Sequence, residues 1–260
     1  MGLIVVGTGI QSVAQTSLEA SQCIENAEKV HVAVADALTE YWIRTINANV
    51  TLLNGFYEPK KNRAVTYEQM VEEVLNDVAS GLNVCLVSYG HPGVFAYPTH
   101  EAIRRARKAG FKAQMLPAIS SDACLFADLG IDPGQNGCQS FEATDFLIHH
   151  RRFDSRSSLL LWQIGVIGEA GYKNDSNVWN REAIRVLTEV LIDSYGADHI
   201  VSVYEAARYI CCKPKILNIR LAELPDAAIS VISTLYVPPI EKAEPDLEML
   251  ARLSATSTSR

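Results

Sequence analysis

The sequence predicts an α/β protein built as two α/β domains that meet near residue 117. Three observations carry that prediction. In the first half, short apolar runs alternate with amphipathic helical stretches, as in a largely parallel sheet covered on both faces. A glycine-rich turn, Gly7-Thr8-Gly9, directly follows the first apolar run. After Pro117 the rhythm changes to longer β-like runs with fewer helices between them, the pattern of a mixed sheet. The expected organisation is therefore an N-terminal domain over 1–116, a C-terminal domain over 117–240 and a tail over 241–260.

Strands are expected at 3–6, 31–35, 50–53, 84–88 and 113–116, where short Val/Ile/Leu-rich runs sit between polar stretches. Helices are expected near 13–27, 37–46, 67–80 and 98–109. The best defined is 67–80. Met70, Val71, Val74, Leu75 and Val78 share one face, and Gly81 supplies the stop. Thr66 is read as its N-cap, with Gln69 three residues on completing a capping box. Beyond Pro117, a helix over about 120–129 ends at Gly130, a C-cap glycine. A Gly/Asp/Pro/Asn loop follows, then β-like runs at 158–164, 199–204 and 228–237, with a helix near 180–194. The tail, with Glu244-Pro245-Asp246 and a Ser/Thr end, reads as a frayed helix or a disordered end.

The 260 residues suffice for one large domain or two modest ones without disulfide or metal staples. With 48% hydrophobic and 20% charged residues, the composition excludes a disordered, collagenous or disulfide-rich chain. A net charge of −7 counts against a nucleic-acid partner. The basic spots (Arg104, Arg105, Arg107, Lys108; Arg151, Arg152, Arg156) read as solvated faces. No basic, apolar signal segment opens the chain, and no apolar run approaches the ~20 residues of a membrane helix, so a cytoplasmic protein is expected. The six cysteines lack metal-ligand spacing and read as reduced thiols. Cys211-Cys212 reads as two small residues in a strand or loop, in preference to a redox pair. His149-His150 reads as surface, and no metal is expected.

Three segments could carry chemistry. Gly7-Thr8-Gly9 begins a dinucleotide fingerprint, but Ser12 stands where the third glycine belongs, and Asp36 is late for the acidic residue. What the glycines support is backbone approaching a ligand at a strand's carboxyl end. Tyr89-Gly90-His91-Pro92-Gly93-Val94-Phe95 follows the strand at 84–88, and Pro92-Gly93 suggests a type II turn. The plain alternative is an ordinary loop. Between 57 and 67, two phenols, Tyr57 and Tyr67, flank the Arg63 guanidinium. With Tyr67 as the first helical residue, the helix terminus and Arg63 would both favour tyrosinate or a substrate oxyanion. The alternative is a surface loop with a solvated arginine and a tyrosine packed on the helix.

Val6-Gly7-Thr8-Gly9, the 89–95 loop, Pro117-Ala118-Ile119-Ser120-Ser121 and Ser233-Thr234-Leu235-Tyr236 occur in the order and spacing of the tetrapyrrole methylase superfamily, which the chain resembles over about 3–240. The resemblance implies two α/β domains with an S-adenosylmethionine cleft between them. More narrowly, Tyr57, Arg63 and Tyr67 resemble the Tyr/Arg/Tyr set of borosin peptide-backbone α-N-methyltransferases. So do Ala127-Asp128-Leu129-Gly130-Ile131-Asp132-Pro133, Gln139-Ser140-Phe141-Glu142-Ala143, Leu161-Trp162-Gln163-Ile164 and Tyr204-Glu205-Ala206. Because 240–260 shows no helical clasp and no Val/Ile/Gly-rich core peptide, the chain resembles the split, stand-alone type.

That resemblance implies α-N-methylation of a separate ribosomal precursor peptide with a leader and an apolar core, and S-adenosylhomocysteine as co-product. It also implies a homodimer, a heterotetramer once two peptides are bound. An amide nitrogen is a poor nucleophile because its lone pair is delocalised. The site needs a base and an oxyanion stabiliser. By resemblance these are Tyr67 and Arg63, with Tyr57 orienting the peptide or relaying the proton and Tyr89 holding the amide. The cofactor would be lined by Gly9, His91, Val94, Phe95, Ser120, Ser121, Gln163, Tyr204, Ser233 and Thr234, with His91 given no acid/base role. Two rival readings are another superfamily methyltransferase acting on a tetrapyrrole or other small molecule, and a non-catalytic module binding S-adenosylmethionine or a peptide.

Overall fold

The computed structural model describes residues 2–11, 13–34, 36–58, 61–169 and 179–257. Ser12, Ala35, Pro59 and Lys60, which fall within the segments read above, lie outside the described residues. The described residues fall into two units. One is drawn from Met1–Ile131, Gly168–Val178 and Tyr204–Ile216, the other from Asp132–Ile167, Trp179–Val203 and Leu217–Arg260.

The first unit is built on β1 (Gly2–Gly7), β2 (Lys29–Ala33), β3 (Val50–Leu52), β4 (Asn83–Ser88) and β5 (Lys112–Met115). They form one sheet in the order β3-β2-β4-β1-β5, parallel at every pairing. Period-two alternation divides the core. Leu3, Val5, Val84 and Leu86 face α3 (Arg63–Ala79) and α4 (Tyr97–Lys108), meeting Met70, Val74, Val78, Ala102 and Ala106. Val6, Val30, Val32 and Val87 face α1 (Leu18–Asn26) and α2 (Ala37–Ile46), meeting Ala20, Ile24 and Ile43.

Helix starts differ from the sequence expectation at two places. The helix expected from 13 begins at Leu18, with the Ser17 hydroxyl accepting from Ala20 N at 3.1 Å. Gln15, just upstream, turns its amide oxygen onto Ile10 N (2.8 Å) and Gln11 N (2.9 Å) instead. The helix expected from 67 begins four residues earlier. Asn62 is the N-cap and accepts from Ala64 N at 2.9 Å. Thr66 is buried inside the helix, its hydroxyl donating to Phe56 O at 3.4 Å. Asn satisfies the orphan amides better than Thr, and the apolar face of the helix does not reveal the extra turn.

After β5 comes α5 (Ser121–Leu129), closed by Gly130 at φ 66° as expected of a left-handed C-cap. The second unit then contributes α6 (Pro133–Asn136), β6 (Cys138–Glu142), α7 (Ala143–Ile148), β7 (Ser158–Trp162) and α8 (Arg181–Tyr195). They are followed by β8 (Ile200–Glu205), β9 (Lys215–Arg220), β10 (Thr234–Val237) and α9 (Leu247–Ser257). The sheet order is β6-β7-β10-β8-β9, with β6 parallel and β10 antiparallel to β7, a mixed sheet. Leu159, Leu161, Val201, Val203, Leu235 and Val237 pack on Ile184, Leu187 and Leu191 of α8. Two strands escape the sequence reading, β6 and β9. Both are polar edge strands, which lack a continuous apolar run for a physical reason: only one side of each is paired. The run expected at 228–237 is a strand only from Thr234, and the tail carries a helix at Leu247–Ser257. Among the described residues, no helix is long and apolar enough to cross a membrane.

One ion network fixes α3 against α4. Arg105 reaches Glu101 (2.6 Å), Glu68 (2.6 Å) and Glu72 (2.7 Å), and Arg104 grips both oxygens of Glu101. Arg104 and Arg105, two of the basic residues expected on a solvated face, are ion-paired there, Arg104 with 61% of its side chain exposed. Their guanidiniums lower the Glu101 carboxyl to about 2 and hold Glu68 below its usual range. A carboxylate with a depressed pKa contributes stability above its unfolded pKa and loses it as pH falls through the folded one. The stability gap between wild type and Glu101→Gln, read by urea denaturation, is expected to be constant at neutral pH and to close as pH falls from 4.5 toward 2. A gap that persists unchanged to pH 2 would show the network to be irrelevant.

Candidate active site

The carboxyl ends of β1 and β4 come together through glycines. Gly9 N donates to Gly90 O at 3.3 Å and Gly90 N to Gly9 O at 3.0 Å, an isolated antiparallel bridge just beyond the parallel sheet. Gly9 (φ 71°) and Gly90 (φ 68°) are both left-handed, the region glycine enters without steric cost. Gly7 is constrained by space: a Cβ there would strike the Gly90 carbonyl, Pro92 and Ala118. The Asp36 carboxylate, late for a ribose acid, caps α2 through Thr39 N (2.9 Å) and Thr39 Oγ1 (2.7 Å).

The 89–95 loop turns tightly, but not as a type II turn. Val94 N donates to His91 O at 3.1 Å, and Gly93 is not left-handed. The reason is His91. Its Nδ1 accepts from Gly93 N at 2.9 Å, as a polar side chain opening a type I turn does. His91 thus caps its own loop. Glycine is still needed at 93, because a Cβ would press on Met115 Sδ and the His91 ring. The His100 ring bonds Gly93 O at 2.9 Å, and the Thr99 hydroxyl donates to Ala96 O (2.7 Å) and to Pro92 O. So held, Phe95 sits at φ 50°, a sparsely populated region for a bulky residue and a common mark of functional loops. Val94 and Phe95 are exposed, at 41% and 51%.

The remaining cofactor candidates are placed as follows. Ser120 is the N-cap residue of α5, but its hydroxyl donates to Asp122, and Ser121 is the first helical residue. Tyr204 is buried and its hydroxyl donates to Asp128 at 2.6 Å. Burial and that carboxylate push its phenol far above the usual range, so it stays a donor. In the second unit Gln163 follows β7 at φ 59°, another strained non-glycine residue. Ile164 N donates to Ser233 O at 3.2 Å, and the buried Ser233 hydroxyl accepts from Ser230 N at 2.8 Å. Thr234, also buried, opens β10. The Ser233 hydroxyl thus shapes the backbone of its turn.

Arg63 is the first residue of α3 and Tyr67 lies one turn later on the same face, the i,i+4 relation that brings side chains together. Among the described residues the Arg63 guanidinium has no ion-pair or hydrogen-bond partner. Tyr67 is therefore not at the helix terminus, and the orphan amides of the first turn do not act on it. Tyr57 and Tyr67 pack half-buried against the same apolar cluster. Tyr67 also stacks on Tyr97, with centroids 6.2 Å apart, and a groove of about 700 Å³ runs beside them along Val65 and Gln69. Tyr89 has different surroundings. Burial raises its pKa, Asp36, Cys124 and Tyr209 act in the same direction, and the Arg208 charge opposes them. It is a protonated donor at neutral pH. The sequence reading missed Arg208, Asp128 and Tyr97. Asp128 and Tyr204 are 76 positions apart, so no local spacing announces the pair.

Exposed apolar side chains beside left-handed, glycine-bridged strand ends suit a ligand that is part apolar and takes backbone hydrogen bonds. Among the described residues no three His, Cys, Asp or Glu side chains are grouped to hold a metal.

The sequence profile of the Tetrapyrrole (Corrin/Porphyrin) Methylases matches residues 2–208. The chain is 42% identical over 255 residues to the methyltransferase/ribosomally synthesized cyclic peptide gymnopeptides precursor of Gymnopus fusipes, covering 96% of this chain and 60% of that protein. It is 41% identical over 255 residues to the corresponding omphalotin A precursor of Omphalotus olearius, covering 96% and 61%. The chain thus spans about 60% of these relatives' length. The crystal structure of a uroporphyrin-III-C-methyltransferase from Thermus thermophilus superposes with a TM-score of 0.63 at 15% identity, covering 92% of each chain, which shows a shared fold.

Removing the Tyr204 hydroxyl leaves Asp128 short of its donor. Tyr204→Phe is expected to cost about 1–3 kcal/mol in urea denaturation, and an unchanged midpoint would show that the bond contributes nothing. Asn62→Ala is expected to cost about 1 kcal/mol by the same measurement, with the loss of helix start confined to the turn that carries Arg63.

Proposed function

The chain belongs to the Tetrapyrrole (Corrin/Porphyrin) Methylases, and from that premise we propose that it transfers methyl groups from S-adenosylmethionine to backbone amide nitrogens of a precursor peptide supplied as a separate chain. The observation that carries the proposal is Arg63 and Tyr67 on one face of α3, one turn apart, with the arginine uncommitted to any carboxylate among the described residues. The relatives support the substrate class, being named as methyltransferases joined to ribosomally synthesized cyclic peptide precursors. The same reading includes a homodimer that binds two peptides.

S-adenosylmethionine supplies an electrophilic sulfonium methyl. Gly9, His91, Val94, Phe95, Ser120, Ser121, Gln163, Tyr204, Ser233 and Thr234 are the residues proposed to hold it. Most would act through backbone or apolar contact, since the His91, Ser120, Tyr204 and Ser233 polar atoms already serve internal bonds. The protein's own task is to make an amide nitrogen nucleophilic. Arg63 donates to the amide oxygen and stabilises the negative charge that collects there when the N–H proton leaves. Tyr67 accepts that proton. The Arg63 charge one turn away favours the negative charge that develops in both steps. Tyr57, on the same cluster, orients the peptide or passes the proton on. Tyr89, a protonated donor, holds the substrate amide.

Methyl transfer to a peptide added in trans, read by mass spectrometry, tests this reading. Tyr67→Phe and Arg63→Ala are each expected to lower turnover by about 10²–10⁴-fold while melting temperature is kept. Near-normal turnover in either variant would sink the role assigned to it. A wild-type chain that binds S-adenosylmethionine yet adds no methyl to any paired peptide would count for the non-catalytic reading.

A further inference from the structure

Between β1 and α1, Gln15 ties down the segment that follows the glycine bridge. Its Oε1 accepts from Ile10 N at 2.8 Å and from Gln11 N at 2.9 Å. Its Nε2 donates to Cys124 Sγ of α5 at 3.7 Å. The Gln15 stem lies where a Cβ on Gly9 would stand, so the bare glycine is what admits it. Ile10 is only 4% exposed, and without the Gln15 oxygen its amide would be left unpaired in a buried place. The segment is also strained: Val13, a β-branched residue, sits at φ 65°. One turn beyond Cys124 on α5, Asp128 accepts from the Tyr204 hydroxyl at 2.6 Å. All these residues belong to the first unit. A strap of side-chain bonds therefore runs from Gly9 through Gln15 and α5 to Tyr204, and both its ends are among the residues proposed to hold S-adenosylmethionine.

We propose that Gln15 is a positioning residue for S-adenosylmethionine, acting through the backbone of residues 9–11 and, by way of α5, through Tyr204; the inference rests on the cofactor reading above. Gln15 does not itself bind the cofactor, because both ends of its carboxamide are taken by protein atoms. The side chain suits the task. One carbonyl oxygen gathers two neighbouring amides, and the NH₂ is left to reach the helix. Glutamate at this position would keep the two loop bonds, charge-assisted, and lose the bond to the thiol. An aliphatic side chain of the same size would make neither. Sulfur is a weak acceptor, so the joint at Cys124 is the weaker of the two. A ligand that meets backbone closely binds better when the loop is ordered before it arrives. With Gln15 in place the strained turn at Val13 is held from folding onward. Without it the turn relaxes, and ordering it again is charged against binding. If α5 transmits the effect, losing Asp128 costs less once Gln15 has gone, so the two losses do not add.

The test titrates the full chain with S-adenosylhomocysteine by calorimetry, which needs no methyl transfer. Gln15→Met, close in volume, is expected to raise Kd about tenfold. Gln15→Glu should bring Kd back to within about threefold of wild type, because both loop bonds return. A glutamine with a merely structural role would lower Tm in Gln15→Met and leave Kd unchanged, and that result overturns the proposal. So does a Gln15→Glu variant that binds as weakly as Gln15→Met. If Gln15→Met does not fold, Gln15→Asn, one methylene short of the two amides, takes its place with the same expectation. The route through α5 is read from a cycle of Gln15→Met, Asp128→Ala and the double variant. The combined loss should fall short of the product of the single losses by about twofold or more; strictly multiplicative losses overturn that route. A wild-type chain that binds no S-adenosylhomocysteine fails the cofactor reading, and this inference with it. Wild-type binding with an unaffected Gln15→Met fails the positioning role alone.

Discussion

The closest approach in the first unit sets the terms for everything around it. β1 and β4 run side by side, and their chains touch again after the sheet ends, where Gly7 lies under the Gly90 carbonyl and Gly9 bridges Gly90. No side chain fits at these crossings. The contact determines where the 89–95 loop departs, and the loop's own bonds from His91, Thr99 and His100 then leave Val94 and Phe95 outward and Tyr89 inward. Backbone proximity comes first, and the chemical groups are placed by it.

The phenols of this protein divide by environment. Tyr204 donates to Asp128, and burial raises the Tyr89 phenol, so both stay protonated at neutral pH. Tyr67 shares a helical face with Arg63 and lies against a groove, which leaves it open to a substrate. One residue type thus supplies a fixed donor, Tyr204, and phenols left for other partners. Burial and neighbouring charge set the roles, since an isolated phenol near pH 7 has a single protonation state.

Much of the first unit was legible because parallel strands buried on both faces read as continuous apolar runs. The Gly130 cap was legible too, since a left-handed helix end leaves glycine little competition. The start of α3 was misread. Thr66 and Gln69 imitate a capping box, while Asn62 forms the real cap before any apolar residue marks the helix. β6 and β9 were invisible because half-paired edge strands need no apolar run. At the site, Tyr57, Arg63, Tyr67 and the 89–95 loop stood out as local clusters. The Tyr204–Asp128 bond did not, because tertiary folding alone joins two positions 76 residues apart.

The link between α3 and α4 has a mechanical meaning. The helices are joined near one end by the Tyr67–Tyr97 stack and further along by Arg105 gripping Glu68 and Glu72. Two separated joints stop one rod from pivoting on another. α4 grows directly out of the 89–95 loop, so the loop and the face bearing Arg63 and Tyr67 form one stiff bracket. Tyr67 is thereby fixed where the two helices meet, and the entropy of placing its ring has been spent during folding instead of at each encounter.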